Sequence, residues 1–252
     1  MKVYFVGAGP GDPELLTIKA KRLLETARLC IYAGSLIHPS ILCLLPRNAQ
    51  KLDSATMNLD ELETEFLRAQ ARNIDVVRLH SGDPSIYGAI REQIATLDRA
   101  GIAYEVVPGV SSFQASAAAL GAELTLPEVS QTIILTRISG KTPVPETQSL
   151  ENLARTQATL CLFLSVHEIG KIVESLSPYY GKDCPAAVVH HASWPDQTII
   201  RASLESICEK TQDAGINKTA MIIVGPALAQ SGPVSRLYDK DFVHGYREGT
   251  HP

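Results

Sequence analysis

Nowhere in the 252 residues does an uncharged apolar run reach the roughly 18 that a membrane-spanning helix needs, so no membrane partner is expected. Cysteine is sparse and poorly placed for pairing. Cys30, Cys43, Cys161, Cys184 and Cys208 are odd in number, lie far apart and form no CxxC, which argues against a disulfide framework and a zinc site. The seven histidines show no ligand spacing either. His190 and His191 sit side by side in a β-rich run, where alternation sends them to opposite faces, so no protein-held metal is expected. The net charge of −4 gives no general attraction to nucleic acid, and no nucleic-acid partner is expected. MKVYFV runs at once into glycines rather than into a long apolar region and a cleavage site, which predicts no secretory signal and a cytoplasmic address.

What is present describes an ordinary globular chain, with 45% apolar and 20% charged residues. At roughly 100 to 200 residues per domain, its length fits two modest domains or one large one. The first half alternates strand and helix: strands at residues 2–6, 29–32, 75–79 and 104–107, helices at 13–27, 58–72, 84–100 and 111–120. That pattern implies βαβ units and a mainly parallel sheet with covering helices. The character changes around residues 122–131. Further strands are expected at 132–136, 159–164, 186–191, 198–202 and 220–224, with helices near 150–155, 168–176 and 204–213. Trp194-Pro195-Asp196-Gln197 reads as a hairpin turn, so the second sheet is expected to be mixed. The fold class is therefore α/β, with two α/β domains at 1–123 and 124–252. The tail after Gly232 is polar and without strong periodicity, and is expected to be loosely held.

The stretch GAGPGDPELLT at residues 7–17 follows an apolar strand and enters a helix, as dinucleotide sites do. The dinucleotide fingerprint G-x-G-x-x-G needs a third glycine for close helix packing and an acidic residue some 20 positions on for a ribose. Gly7 and Gly9 fit, but position 12 is Asp12, and the next strand ends in YAGS with no carboxylate. Asp12 also sets a negative charge where a pyrophosphate would lie. A turn in which Asp12 caps a helix begun by Pro13 accounts for the same residues. Two other stretches share the design, RLHSGDPSIYGA at 78–89 and VPGVSSFQASAAALG at 107–121. In an open α/β sheet such turns gather at the carboxyl ends of the strands, where ligands bind.

Taken in order, GAGPGDPELLT, YAGSL, RLHSGDPSIYGA, VPGVSSFQASAAALGAELTLPE, SQTIILTR with TPVPE, and HHASWPDQTI resemble the tetrapyrrole methylase family over about residues 1–226. The pairing of LTLPE with TPVPE and ASWPD is most similar to its branch that methylates carbon 11 of precorrin-4 or cobalt-precorrin-4 in corrin biosynthesis. The resemblance implies an active-site cleft between two α/β domains and a homodimer. It also implies S-adenosylmethionine as methyl donor, with S-adenosylhomocysteine as product, held largely by main-chain groups. Small residues let a ligand approach the backbone closely, which suits these loops. Position by position, the resemblance marks Pro10, Ser81, Gly82, Asp83, Ile86, Ser111 and Ser112 in the first domain as cofactor contacts. It marks Leu164, Ala192 and Ala220 in the second. A Leu or Ala at a strand end is equally a core residue, and only the resemblance singles out Leu164 and Ala220.

A macrocycle bearing acetate and propionate groups calls for cations, hydroxyls or backbone donors. Arg137 and Lys141, just past a strand end, and Ser35, His38 and Tyr87 in the first domain are the acceptor candidates. No general base is assigned, because an acceptor carbon conjugated to the macrocycle nitrogens can lose its proton to solvent after methylation. Three alternatives stay open: methylation of another carbon by the same family, a nucleotide-dependent oxidoreductase, and a tetrapyrrole carrier without catalysis. Whether the substrate carries cobalt is not legible, since that metal would ride in the macrocycle.

Overall fold

The computed structural model of the chain describes residues 1–229 and residues 235, 242, 243, 245 and 246, with Ser35 described by its backbone alone. The expectation of a loosely held tail falls on residues outside the described part. Two compact units emerge, Met1–Ser116 with His191–Gln197, and Ala117–His190 with the residues from Thr198 onward.

In the first unit the β-rich runs form five strands, β1 (Lys2–Gly7), β2 (Leu29–Tyr32), β3 (Gln50–Asp53), β4 (Val76–His80) and β5 (Ala103–Val107). All pair in parallel, in the order β3-β2-β4-β1-β5. Helices α1 (Ile18–Glu25) and α2 (Pro39–Leu42) cover one face, where Ala20, Leu24 and Ile41 pack with Val6, Val77, Leu79 and Val107. Helices α3 (Leu59–Ala71) and α4 (Ile90–Arg99) cover the other, with Leu62, Phe66 and Leu97 against Val3, Phe5, Ile31 and Val76. Burial on both faces is why the inner strands β1, β2 and β4 read as near-continuous apolar runs rather than alternating ones.

Three details depart from the sequence expectation. Residues 13–27 are not one helix: Asp12 accepts the amide of Glu14 to cap a 3-10 turn, Pro13–Leu15, and Leu16 is extended. Thr17 then caps α1 by accepting the amide of Ala20. The helix expected over 84–100 begins only at Ile90, because Tyr87 (φ 55°) and Ala89 (φ 48°) are left-handed and break the turn that Pro84 opens. Strand β3 was not foreseen, since QKLD is a largely exposed strand at the sheet edge with no apolar period.

Helix α5 (Ser112–Leu120) leads into the second unit, whose strands are β6 (Ile133–Thr136), β7 (Thr159–Leu162), β8 (Pro185–His190), β9 (Thr198–Ser203) and β10 (Ala220–Val224). Their order is β6-β7-β10-β8-β9, with β6 and β7 parallel and every other pair antiparallel, so the sheet is mixed as expected. Helices α6 (Leu150–Ala154), α7 (Ile169–Tyr180) and α8 (Leu204–Asp213) place Leu150, Ile172, Leu176, Leu204 and Ile207 on Leu160, Leu162, Val188, Ile222 and Val224. The hairpin turn read from Trp194–Gln197 does join β8 to β9, yet His191–Gln197 groups with the first unit. Among the described residues no helix is long and apolar enough to cross a membrane.

Candidate functional site

Because β4, β1 and β5 are neighbours running the same way, the loops that follow them leave the sheet side by side at its carboxyl edge. Gly9 and Gly82 lock two of these loops together: the Gly82 amide donates to Gly9 O at 2.8 Å and the Gly9 amide to Gly82 O at 3.2 Å. The third loop joins through the Gly109 amide, which donates to Asp83 Oδ2 at 2.9 Å. The backbones are too close for side chains. A Cβ on Gly7 would lie 2.6 Å from both Gly109 N and Gly82 O, and one on Gly109 would lie 2.3 Å from Gly82 O. Gly82 differs. Its φ of 62° favours glycine, but a Cβ there would find only ordinary contacts, 3.6 Å to Ser111 Cα and 3.7 Å to Ser112 N.

These contacts bring together Gly82, Asp83, Ser111 and Ser112, four of the predicted cofactor residues, with Pro10 one residue beyond the Gly9 bridge. Both Asp83 oxygens are engaged, Oδ1 by the amide and hydroxyl of Ser85 and Oδ2 by Gly109. Partial burial pushes its carboxyl up, but the bonds from Ser85 and Gly109 outweigh this and hold it below the usual carboxylate range. Asp83 therefore fastens the second loop to the third. Ile86 donates its amide to Asp83 O within the same turn, and Ser81 is exposed at its start. Ser111 is 3% exposed and heads α5, its amide held by Gln114 Oε1.

Ala192, which the resemblance set in the second domain, is buried in the first unit, in the turn that packs on loop 10–12. In that turn Trp194 Nε1 donates to Pro10 O at 2.7 Å, and Ser193 Oγ accepts the Asp12 amide at 3.1 Å. His38 lies edge-on to the indole, with centroids 4.6 Å apart, while its Nδ1 accepts the Ser40 amide at the head of α2. These contacts of Trp194 and Ser193 were not foreseen, since WPDQ signalled only a turn. Ser35 falls in the 3-10 turn Gly34–Leu36, and its side chain lies outside the described part. Tyr87 is exposed at 45% on its left-handed backbone.

In the second unit Leu164 follows β7 with φ 54° and 64% exposure, an apolar side chain displayed on strained backbone. Ala220 opens β10, opposite His190. Arg137 just past β6 turns its guanidinium onto its own loop, donating to the carbonyls of Ile138, Thr142 and Pro143. That commits three of five N–H groups and leaves the charge without a carboxylate partner among the described residues. Lys141 is exposed on the same loop.

Beneath the first-unit loops lie two buried bases. Arg78 is 6% exposed, donates to Gln93 Oε1 at 3.0 Å and Ile31 O at 3.3 Å, and is lowered by burial to about 10, so it stays charged at neutral pH. Burial, and then the Arg78 charge, push the neighbouring His80 down to about 3, leaving a neutral imidazole. His80 Nε2 is buried without a partner among the described residues.

The donor set fits S-adenosylmethionine. Gly82 presents bare backbone beside that of Ser111 and Ser112, at a position where an added Cβ would make only ordinary contacts, and among the described residues there is no cluster of His, Cys, Asp or Glu suited to a metal. For a pyrophosphate the first loop is unsuited, because the Trp194 ring fills the space a side chain at Gly11 would take, and Asp12 heads the 3-10 turn.

Residues 2–208 match the Tetrapyrrole (Corrin/Porphyrin) Methylases, and the chain belongs to that family. It is 51% identical to cobalt-precorrin-4 C(11)-methyltransferase of Methanocaldococcus jannaschii, covering 98% of this chain and 96% of that one. To precorrin-4 C(11)-methyltransferase of Pseudomonas aeruginosa it is 50% identical, over 99% and 100%. Among solved structures, a cobalt precorrin-4 methyltransferase described as a cobalamin biosynthetic enzyme superposes with a TM-score of 0.88 at 42% identity, over 90% of this chain and 96% of the other. Uroporphyrin-III C-methyl transferase from Thermus thermophilus, complexed with S-adenosyl homocysteine, gives 0.76 at 31% identity, over 90% and 99%.

Proposed function

We infer that this chain transfers the methyl group of S-adenosylmethionine to carbon 11 of precorrin-4 or cobalt-precorrin-4. The observation that carries the reading is the likeness, at half identity over nearly the full length of both chains, to relatives named for that reaction. S-adenosylmethionine supplies a methyl on a sulfonium, so charge disappears in the displacement, and the site needs position and dryness more than acid or base. In this reading the protein's part is played by the three loops. Gly82, Ser111 and Ser112 offer backbone and hydroxyl groups at close range, Pro10, Ser81 and Ile86 border them, and Asp83 fixes their spacing. Leu164, Ala192 and Ala220 complete the cofactor contacts. The neighbour complexed with S-adenosyl homocysteine supports this choice of cofactor.

The acceptor's carboxylates are assigned to Arg137 and Lys141, with Ser35, His38 and Tyr87 as further contacts. Arg137 suits this role because its charge lacks a carboxylate partner among the described residues while its own loop holds the guanidinium still. A homodimer in the cytoplasm is part of the same proposal, and five unpaired thiols agree with a reducing compartment. Relatives named for cobalt-loaded and cobalt-free substrates match about equally well, so the metal state of the acceptor is an experimental question. The test is to incubate the protein with S-adenosylmethionine and each form of precorrin-4 and to weigh the products. A gain of one methyl on either form supports the reading. No gain on both, with thermal stabilisation by NAD and none by S-adenosylhomocysteine, reverses it in favour of an oxidoreductase.

A further inference from the structure

The turn His191–Gln197 is built at a conformational cost that a plain hairpin connection does not need. His191 (φ 49°) and Ser193 (φ 70°) are both left-handed non-glycine residues, placed on either side of buried Ala192. Such strain persists where surrounding contacts over-determine it, and it concentrates at functional sites. Here the contacts are specific. Trp194 donates to Pro10 O, Ser193 accepts from the Asp12 amide, and the Trp194 ring lies so close over Gly11 that a Cβ there would be 2.0 Å from Nε1 and 2.1 Å from Cδ1. The ring is itself held. His191 stacks on it with centroids 4.3 Å apart and planes 23° apart, His38 meets its edge, and His191 Nδ1 is 2.8 Å from Asp196 Oδ2. Two of the backbone polar groups of loop 10–12 are thus fixed by side chains some 180 residues away, at |i−j| of 184 and 181.

We propose that Trp194 and Ser193 are positioning residues that hold loop 10–12 in the geometry that receives S-adenosylmethionine, and that Trp194 senses the arrival of the cofactor. This rests on the reading above that the first glycine loop belongs to the cofactor site. The ring contacts alone would steady the turn. The two hydrogen bonds instead orient the loop's peptide planes, and so decide where its remaining donors and acceptors point.

The experiment uses the full chain, with S-adenosylhomocysteine as probe. Trp194 is the chain's one tryptophan, so its emission reports this contact without a label. Titration of the wild type should change that emission in step with the calorimetric isotherm. Trp194→Phe keeps the ring and loses the bond to Pro10 O, and Ser193→Ala loses the acceptor for the Asp12 amide. Each should weaken binding by roughly three- to tenfold, the worth of one hydrogen bond, with an unaltered far-ultraviolet circular dichroism spectrum. Ser193→Ala carries the test if Trp194→Phe does not fold. Wild-type binding with silent emission overturns the sensing role, equal affinity in the folded variants overturns the positioning role, and either result leaves the cofactor reading standing. Failure of the wild type to bind S-adenosylhomocysteine at all overturns the cofactor reading itself.

Discussion

Gly9 and Gly82 exchange backbone hydrogen bonds across two loops of adjacent parallel strands, 2.8 Å in one direction and 3.2 Å in the other. With Gly109 packed against Gly82 and Gly7, they make a wall of bare backbone in which glycines serve different ends. Gly109→Ala would drive a Cβ against Gly82 O, a backbone atom that cannot rotate away, so this change should damage the fold. Gly82→Val sets at this position a Cβ that meets only ordinary contacts, and its left-handed φ costs about 1 to 3 kcal/mol. It should fold with a lowered melting temperature and bind S-adenosylhomocysteine weakly. Calorimetry showing wild-type affinity in folded Gly82→Val would remove this loop from the cofactor site.

Arg137 is proposed to face carboxylates that do not react, so its contribution is the same in ground and transition states. Uniform binding of that kind shows in KM, not kcat. Arg137→Ala should raise KM for the tetrapyrrole roughly 10- to 150-fold, corresponding to about 1.5 to 3 kcal/mol for a charged hydrogen bond, and leave kcat within a few fold. Steady-state kinetics and S-adenosylhomocysteine calorimetry check this together. Lost cofactor affinity with unchanged tetrapyrrole KM would place Arg137 elsewhere in the chemistry.

His80 gives a prediction in pH. Its folded value, about 3, lies below the ordinary 6.5, so the unfolded chain binds a proton that the folded chain refuses. Its destabilising effect is absent above pH 6.5 and grows as pH falls from there toward 3. Between pH 6.5 and 5 this one group should remove roughly 2 kcal/mol of stability. His80→Phe should fold and flatten that part of the urea-denaturation profile, since Nε2 gives up no hydrogen bond. An unchanged slope would show that His80 titrates normally in the folded protein.

Much of this was legible because local chemistry and tertiary structure agree. Apolar runs buried on both faces gave the parallel sheet, and Trp194–Gln197 gave the antiparallel hairpin. The start of α4 was misjudged because Tyr87 and Ala89 adopt left-handed backbone that neither residue type advertises, and β3 because a polar edge strand has no apolar period. The resemblance named Pro10, Gly82, Ser111 and Ser112, yet spacing alone could not show that Gly82 opposes the two serines. Nor could it show that Asp83 spends both oxygens inside the loops, or that Trp194 lies over Gly11. Those facts depend on contacts between segments far apart in sequence, where pattern carries no signal.

The central claim is that the methyl group goes to carbon 11 of a precorrin-4-type ring. The direct measurement is carbon-13 NMR of the product made by the purified protein from S-adenosylmethionine labelled in its methyl group, with cobalt-free and cobalt-loaded precorrin-4 as acceptors. One labelled methyl resonance assigned to carbon 11, formed with an equal amount of S-adenosylhomocysteine, is the predicted result. A label on another carbon, or turnover of neither acceptor by protein that binds S-adenosylhomocysteine, would contradict it.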